Sequence, residues 1–191
     1  MISLRDFRKK DVLTEDGTIL GAVTDIKLGA DLNIVGLRLK MESRKMAEDL
    51  GLDKPMISSL KGDIGIEHVK SVSDNILLNK KFDELYAYME EETDWRPVSE
   101  LIDYKISDSQ GTDIGKVAGI SFDEEDWGIP MLVVTIEKDT HELLDMDKSL
   151  LRKTRLGISM RHVDKIGDYI LLDTTADNLG DIIEEEPVKK V

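Results

Sequence analysis

The sequence predicts a mainly β chain built as two tandem small barrels joined by a helical linker. Three observations carry that expectation. A block of the first half returns in the second at one constant offset. A glycine turn flanked by apolar residues opens each copy. In the strand after that turn, the apolar alternation breaks phase at the same place in both copies.

The repeat comes first because it sets the size of everything else. Asp16-Gly17-Thr18-Ile19-Leu20-Gly21-Ala22-Val23-Thr24-Asp25-Ile26 aligns with Gln110-Gly111-Thr112-Asp113-Ile114-Gly115-Lys116-Val117-Ala118-Gly119-Ile120 at an offset of 94. The same offset superposes His68-Val69 on His162-Val163, Asp74 on Asp168, and Ile76-Leu77-Leu78 on Ile170-Leu171-Leu172. Two blocks far apart that keep one register read as a duplication. The implied boundaries are residues 1–80 for repeat one, 81–95 for the linker helix, 96–175 for repeat two and 176–191 for an acidic tail.

Within each repeat the elements follow from local chemistry. Asp16-Gly17 supplies the positive φ angles of a tight primed turn between Val12-Leu13 and Ile19-Leu20. Val23 lies on odd numbering while Ile26 and Leu28 lie on even, and Val117, Ile120 and Phe122 repeat the change; such a phase slip predicts a β-bulge. Leu37-Arg38-Leu39-Lys40-Met41 alternates apolar and charged residues, predicting one buried and one wet face. Its counterpart Met131-Leu132-Val133-Val134-Thr135-Ile136 is apolar on both faces, with Met131 and Val133 standing where repeat one has Gly36 and Arg38. A strand buried on both sides reads this way. The outer face at Met131 and Val133 is therefore expected to be covered, by the linker helix, by the first barrel or by a partner. Ser43 is expected to cap a helix over Arg44–Leu50 that stops at Gly51, and Asp139 or Thr140 one over His141–Leu151. Closing hairpins follow at 64–78 and 158–172. Phe82, Leu85, Tyr86 and Met89 mark one face of a linker helix over about 83–91 that Glu90-Glu91-Glu92 ends, and the tail after Asp173 is expected to fray.

Composition limits the function classes. Hydrophobic residues are 40% and charged residues 35% of the 191, as in a soluble globular chain. Aromatics are only 5%, which leaves the cores to Leu, Ile, Val and Met. The net charge is −14, made of 14 basic against 19 acidic residues before residue 95 and 12 against 21 after it. That field disfavours direct nucleic-acid or anionic-membrane binding and favours basic partners. The absence of cysteine excludes disulfides, thiolate metal sites and a cysteine nucleophile. With no apolar leader and no run approaching the ~20 residues of a membrane span, the expected compartment is the cytoplasm.

Few residues suggest chemistry. His68 and His162 are repeat-matched and could form a metal pair or a pH switch; equally, each could satisfy a backbone carbonyl or point outward. Asp123-Glu124-Glu125-Asp126 could hold a cation or a basic peptide with Trp127 as aromatic anchor, or could be a solvated acidic turn. His141-Glu142-Leu143-Leu144-Asp145 lacks the second histidine of a zinc-protease helix. The stretch from Asp145 places Leu150 where a calcium loop needs glycine and Leu156 where it needs glutamate. No phosphate-cradling loop or nucleophile elbow is present. The expectation is no enzyme, no cofactor and no metal.

The opening strand, glycine turn, apolar-Gly-x-Val step and broken strand, with the endings Val69–Leu78 and Val163–Leu172, resemble the PRC-barrel family twice over. Departures are Gln110 in place of Asp before the turn glycine and a longer helical insert in copy two. The resemblance implies a protein-binding module with no catalytic residues to carry over. Its members include the cytoplasmic part of a photosynthetic reaction-centre subunit, the C-terminal domain of the ribosome maturation factor RimM, and small archaeal proteins, some of them cell-division adaptors that bind SepF. By analogy the first expectation is an archaeal protein–protein adaptor in cell division. The second is a ribosome or RNA maturation factor acting through a basic ribosomal protein, and the third a small-molecule or metal-binding module. Met131, Val133, Trp127 and the acidic turn at 123–126 are the candidate partner-binding residues. Fusion of two copies suggests a pseudo-dimer within the chain, with a homodimer as the alternative.

Overall fold

The computed structural model describes residues 2–30, 33–52, 60–123, 125–136 and 155–185. Tertiary contacts divide the chain into two compact units, Ile2–Ser99 with Glu124–Gly128, and Glu100–Asp123 with Ile129–Val191. Both are mainly β.

The first unit begins with β1 (Ile2–Ser3) and the single-turn helix α1 (Leu4–Phe7), whose N-terminus Ser3 caps by accepting from the Asp6 amide at 3.2 Å. Then come β2 (Asp11–Leu13), β3 (Ile19–Leu28), β4 (Ile34–Met41), helix α2 (Arg44–Asp49), β5 (Lys61–Gly65), β6 (Val69–Val72), β7 (Ile76–Leu78), β8 (Met89–Glu90) and β9 (Arg96–Pro97). The strand order is β6-β7-β2-β3-β4-β5-β8, with β9 added to β3. Ser43 caps α2 as expected, its hydroxyl accepting from the Met46 amide.

The second unit holds β10 (Lys105–Ser107), β11 (Asp113–Phe122), β12 (Met131–Ile136), β13 (Arg155–Ser159), β14 (Val163–Ile166), β15 (Ile170–Leu172) and β16 (Ile183–Glu185). Its order is β14-β15-β10-β11-β12-β13-β16, strand for strand the order of the first. Each sheet pairs antiparallel neighbours except where the closing strand runs parallel to the opening one, β7 to β2 and β15 to β10. The cores match in position: Val12, Leu20, Val23, Ile26, Leu37, Ile64, Ile76 and Leu85 are fully or nearly fully buried, as are Ile106, Ile114, Val117, Ile120, Leu132, Ile158, Ile170 and Leu179.

The expected bulges are present. Register shifts between Val23 and Asp25 and between Val117 and Gly119, which moves the apolar positions from one parity to the other. Just before each bulge the strands cross too closely for a side chain. A Cβ on Gly21 would collide with the carbonyl oxygen of Lys40, and one on Gly115 with that of Thr135.

Several sequence expectations are corrected. The turn at Asp16-Gly17 is not a two-residue primed turn. Gly17 is at φ 82° and donates to the Thr14 carbonyl, Thr14 donates to Thr18, and Asp16 is not left-handed. This is a wider turn with one glycine in the left-handed position, so a single Gly suffices. The strands expected over 64–72 and 158–166 are each broken by a 3-10 turn, at Ile66–His68 and Met160–His162.

The linker helix is instead a 3-10 turn at Phe82–Ala87 followed by β8, which pairs with β5. The supposed frayed tail repeats it, with a 3-10 turn at Ala176–Asp181 and then β16 on β13. Apolar spacing over eight residues cannot separate a helical face from a 3-10 turn feeding a strand. Residues 96–99, expected to open the second repeat, lie in the first unit, where β9 pairs with Lys27 and Leu28. The helix expected over His141–Leu151, with its zinc-like and calcium-like patterns, lies outside the described residues, as do Glu124 and the chain end from 186.

Candidate functional site

The outer face of the first sheet carries a buried ion cluster. Bulging of β3 turns Asp25 and Lys27 to this face, β4 contributes Arg38, and β5 contributes Asp63. Lys27 is 2% exposed and Asp63 1%, which is rare for charged residues unless they are paired. Asp63 Oδ1 accepts from Arg38 Nε at 2.7 Å. Its Oδ2 accepts from Arg38 Nη2 at 2.9 Å, from the Thr93 hydroxyl at 2.7 Å and from the Thr93 amide at 3.2 Å, and lies 3.5 Å from Lys27 Nζ. Burial alone would push the Asp63 carboxyl up, but these donors and cations outweigh it and hold it below the usual range. The same pairing raises the Arg38 guanidinium. Asp25 is bound in the same manner, accepting from Arg8 Nη2 at 3.0 Å, from the Ser99 amide at 3.2 Å and from the Ser99 hydroxyl.

Each of these carboxylates accepts from several donors at once, so the cluster holds chain in place. What it positions is the segment 93–99. Thr93 and Ser99 bond to the two aspartates, β9 pairs with β3, and the Trp95 ring packs where a Cβ on Gly36 would stand. The face that alternation marked as wet is therefore covered. Alternation reads polarity, and paired charges can be polar and buried together.

At matching positions the second sheet has Gly119 for Asp25, Ser121 for Lys27, Val133 for Arg38 and Gly157 for Asp63. Met131 and Val133 are each 4% exposed, so both side chains are buried. Within the sheet, the Met131 thioether fills the space above Gly157. Neither residue is an open partner-binding surface. Of the expected cover, the stripe of Phe82, Leu85, Tyr86 and Met89, only Leu85 and Met89 are buried, both in the first unit, while Phe82 is half-buried and Tyr86 exposed. There Leu85 is fully buried, the Met89 methyl lies over Gly62 and the Tyr86 ring over Gly51.

The other candidates have separate surroundings. His68 packs against Tyr88 with the rings tilted and their centroids 4.5 Å apart, and its carbonyl accepts from the Asn79 amide. His162 faces Asp173 at 3.2 Å and Arg161 at 3.0 Å, and its carbonyl accepts from the Asp173 amide. The common element of the two histidines is thus a main-chain bond that ties the 3-10 turn to the end of the closing hairpin. In the acidic turn, Glu125 and Asp126 are exposed and Asp126 accepts from the Gly128 amide at 2.9 Å. Trp127 is half-buried, edge-on to Phe7 at 6.1 Å, and its carbonyl accepts from Ile34. It is an internal anchor of the first unit, not a free aromatic. Among the described residues no three His, Asp or Glu side chains converge as metal ligands, and no helix is long and apolar enough to cross a membrane.

Sequence reasoning missed the ion cluster and also Asp108. That carboxylate, 2% exposed, accepts from the amides of Gln110, Thr112 and Ala176, tying the turn to the last 3-10 element. Burial pushes Asp108 up and the three amides more than reverse it, leaving it lowered. The signal for the cluster was present in the repeat alignment, where four charged positions of one copy are small or apolar in the other.

A PRC-barrel domain model matches residues 96–179, which span β9 to β15 and the 3-10 turn that holds Leu179. No curated protein matches the chain. The class is a mainly β protein whose residues 96–179 are similar to the PRC-barrel domain, a family often involved in protein interactions.

Proposed function

We propose that the chain is a non-catalytic protein–protein adaptor made of two tandem PRC-barrels, the first a divergent copy of the matched one. The observation that carries this reading is the PRC-barrel match at 96–179, set beside a first sheet with the same strand order. Equivalent bulges, equivalent close-approach glycines and equivalent buried positions support common descent of the two halves. Charged groups at the buried positions are committed to hydrogen bonds that hold chain, which supports a binding role over a catalytic one. Fusion fixes the two copies in one chain and frees each to diverge, as the charged and apolar outer faces have done.

Within this reading a cell-division partner of the SepF kind is the first choice, by analogy with archaeal adaptors of the family. Crosslinking in a native lysate of the source cell, followed by capture of the full-length chain, tests it. Stoichiometric recovery of a division protein is the expected result. Recovery of ribosomal proteins would transfer the reading to ribosome maturation, and recovery of no protein at all would overturn the adaptor reading.

A further inference from the structure

Helix α1 and the loop after it carry a run of basic residues. Arg5, Asp6, Arg8, Lys9 and Lys10 stand within six residues, in a protein whose net charge is −14. Together with Asp74 of the closing hairpin they line a groove of about 350 Å³. Arg5 and Lys9 are exposed. Arg8 is anchored on Asp25, and Lys10 Nζ is held by the carbonyls of Ser73 and Asp74. The cations are thus set on a fixed frame, and Arg8 Nε is a buried donor without a partner.

The second copy supplies the comparison. The corresponding residues are Ser99, Glu100, Leu101, Ile102, Asp103 and Tyr104, yet three backbone hydrogen bonds recur. Lys9 donates to Val23 as Asp103 does to Val117, and Lys10 to Phe7 as Tyr104 does to Leu101. Val23 donates to Lys10 as Val117 does to Tyr104. Lys9 and Asp103 are both left-handed, at φ 87° and 67°. Aspartate tolerates that conformation far better than lysine does. The first copy therefore accepts backbone strain at the one position where strain places another exposed cation on the groove, and strain kept in this way points to function.

We propose that this groove is the docking site for a short acidic segment of a protein partner, whose carboxylates are taken between Arg5, Arg8, Lys9 and Lys10. The proposal rests on the adaptor reading and names its surface. A long polyanion such as nucleic acid, or an anionic bilayer, would meet the field of the whole acidic chain. A short segment feels only charges within about 8 Å, the screening length at physiological salt, and the groove is small enough to serve it. Asp6 and Asp74 at the rim would select the spacing of its carboxylates.

The test is fluorescence anisotropy with the full chain and a labelled peptide of alternating Glu and Gly. Wild type is expected to bind, more weakly as salt rises, while single-stranded DNA and phosphatidylglycerol vesicles do not bind. Lys9→Asp is expected to weaken peptide binding on the order of tenfold, since it reverses a charge at the contact, and to melt no lower than wild type because it relieves the left-handed lysine. Arg5→Glu should weaken binding similarly. Unchanged peptide affinity in both variants, or binding of vesicles or DNA in place of the peptide, overturns the proposal. Repeating the lysate crosslinking with Lys9→Asp separates the two readings. Partners captured equally well by variant and wild type sink the groove and leave the adaptor standing, whereas a chain that binds neither peptide nor protein sinks both.

Discussion

Asp63 is the residue on which most of the first sheet's outer face converges, because Arg38, Lys27 and Thr93 all spend their polar groups on it. Removing one partner of such a cluster leaves the others buried and uncompensated, which costs more than the pair is worth when intact. Asp63→Ala is expected to lower stability by about 3–5 kcal/mol, measured by urea unfolding, with Lys27 and Arg38 left inside the fold without a counter-charge. A loss under about 1 kcal/mol, the range of an exposed ion pair, would mean that the face is wet. Acid should reproduce part of this effect. The Asp63 and Asp108 carboxyls are both lowered in the folded protein. The stability they contribute is therefore fully present above the unfolded value near ~3.9 and is lost as pH falls through the lower folded values. Unfolding midpoints should be flat in this contribution above about pH 5 and fall steeply below about pH 4, with a smaller fall in Asp63→Ala.

At the scale of the element, the two glycines around each opening turn do different jobs, and substitution should separate them. Gly111 is at φ 86° with open space where a Cβ would stand, so Gly111→Ala pays only the left-handed penalty, roughly 1 kcal/mol. Gly115 faces the Thr135 carbonyl across the β11–β12 pair, and a Cβ there must push two strands apart. Gly115→Ala is expected to cost at least about 3 kcal/mol, at the severe end for single substitutions; equal melting temperatures for the two variants would refute the close-approach account. Both glycines were legible in the sequence because a fixed offset repeated them, and so was the bulge, because a change of parity is visible in any alternating strand. Elements that rest on few residues were not. The 3-10 turns at Ile66–His68 and Phe82–Ala87 have too little periodicity to distinguish them from strand and helix. The ion cluster was hidden for another reason: Arg38 and Lys27 look solvent-facing until Asp63, far off in sequence but directly opposite Arg38 on β5, is known to meet them. The same reason misassigned Trp127, since nothing local to the acidic turn signals Phe7 as its neighbour.

Over the whole molecule, the two sheets correspond over a longer stretch than their matching residues alone suggest. Of the six residues in Phe82–Ala87 and Ala176–Asp181 only Asp83/Asp177 and Leu85/Leu179 agree, yet each segment is a 3-10 turn followed by a strand, on β5 in one case and β13 in the other. Leu85 and Leu179, at the constant offset, are the two residues that plug these turns, and both are 0% exposed. The Ala176 amide bond to Asp108 secures the second turn, as a Phe82 amide bond to the Asp16 carboxylate secures the first. The consequence is that residues 176–185 are structural, not a dispensable acidic tail. Leu179→Ala should cost about 2–5 kcal/mol, as large-to-small changes at fully buried leucines do, and Leu85→Ala should cost a similar amount, because the plugs are equivalent. Truncation after Asp173 removes the plug, the bond to Asp108 and the β16 pairing together. It should lower the melting temperature by more than Leu179→Ala alone, measured by circular dichroism on otherwise full chains. A truncated chain that melts with the parent would show that the second sheet is complete without its last strand, and the equivalence of the two halves would then end at Leu78 and Leu172.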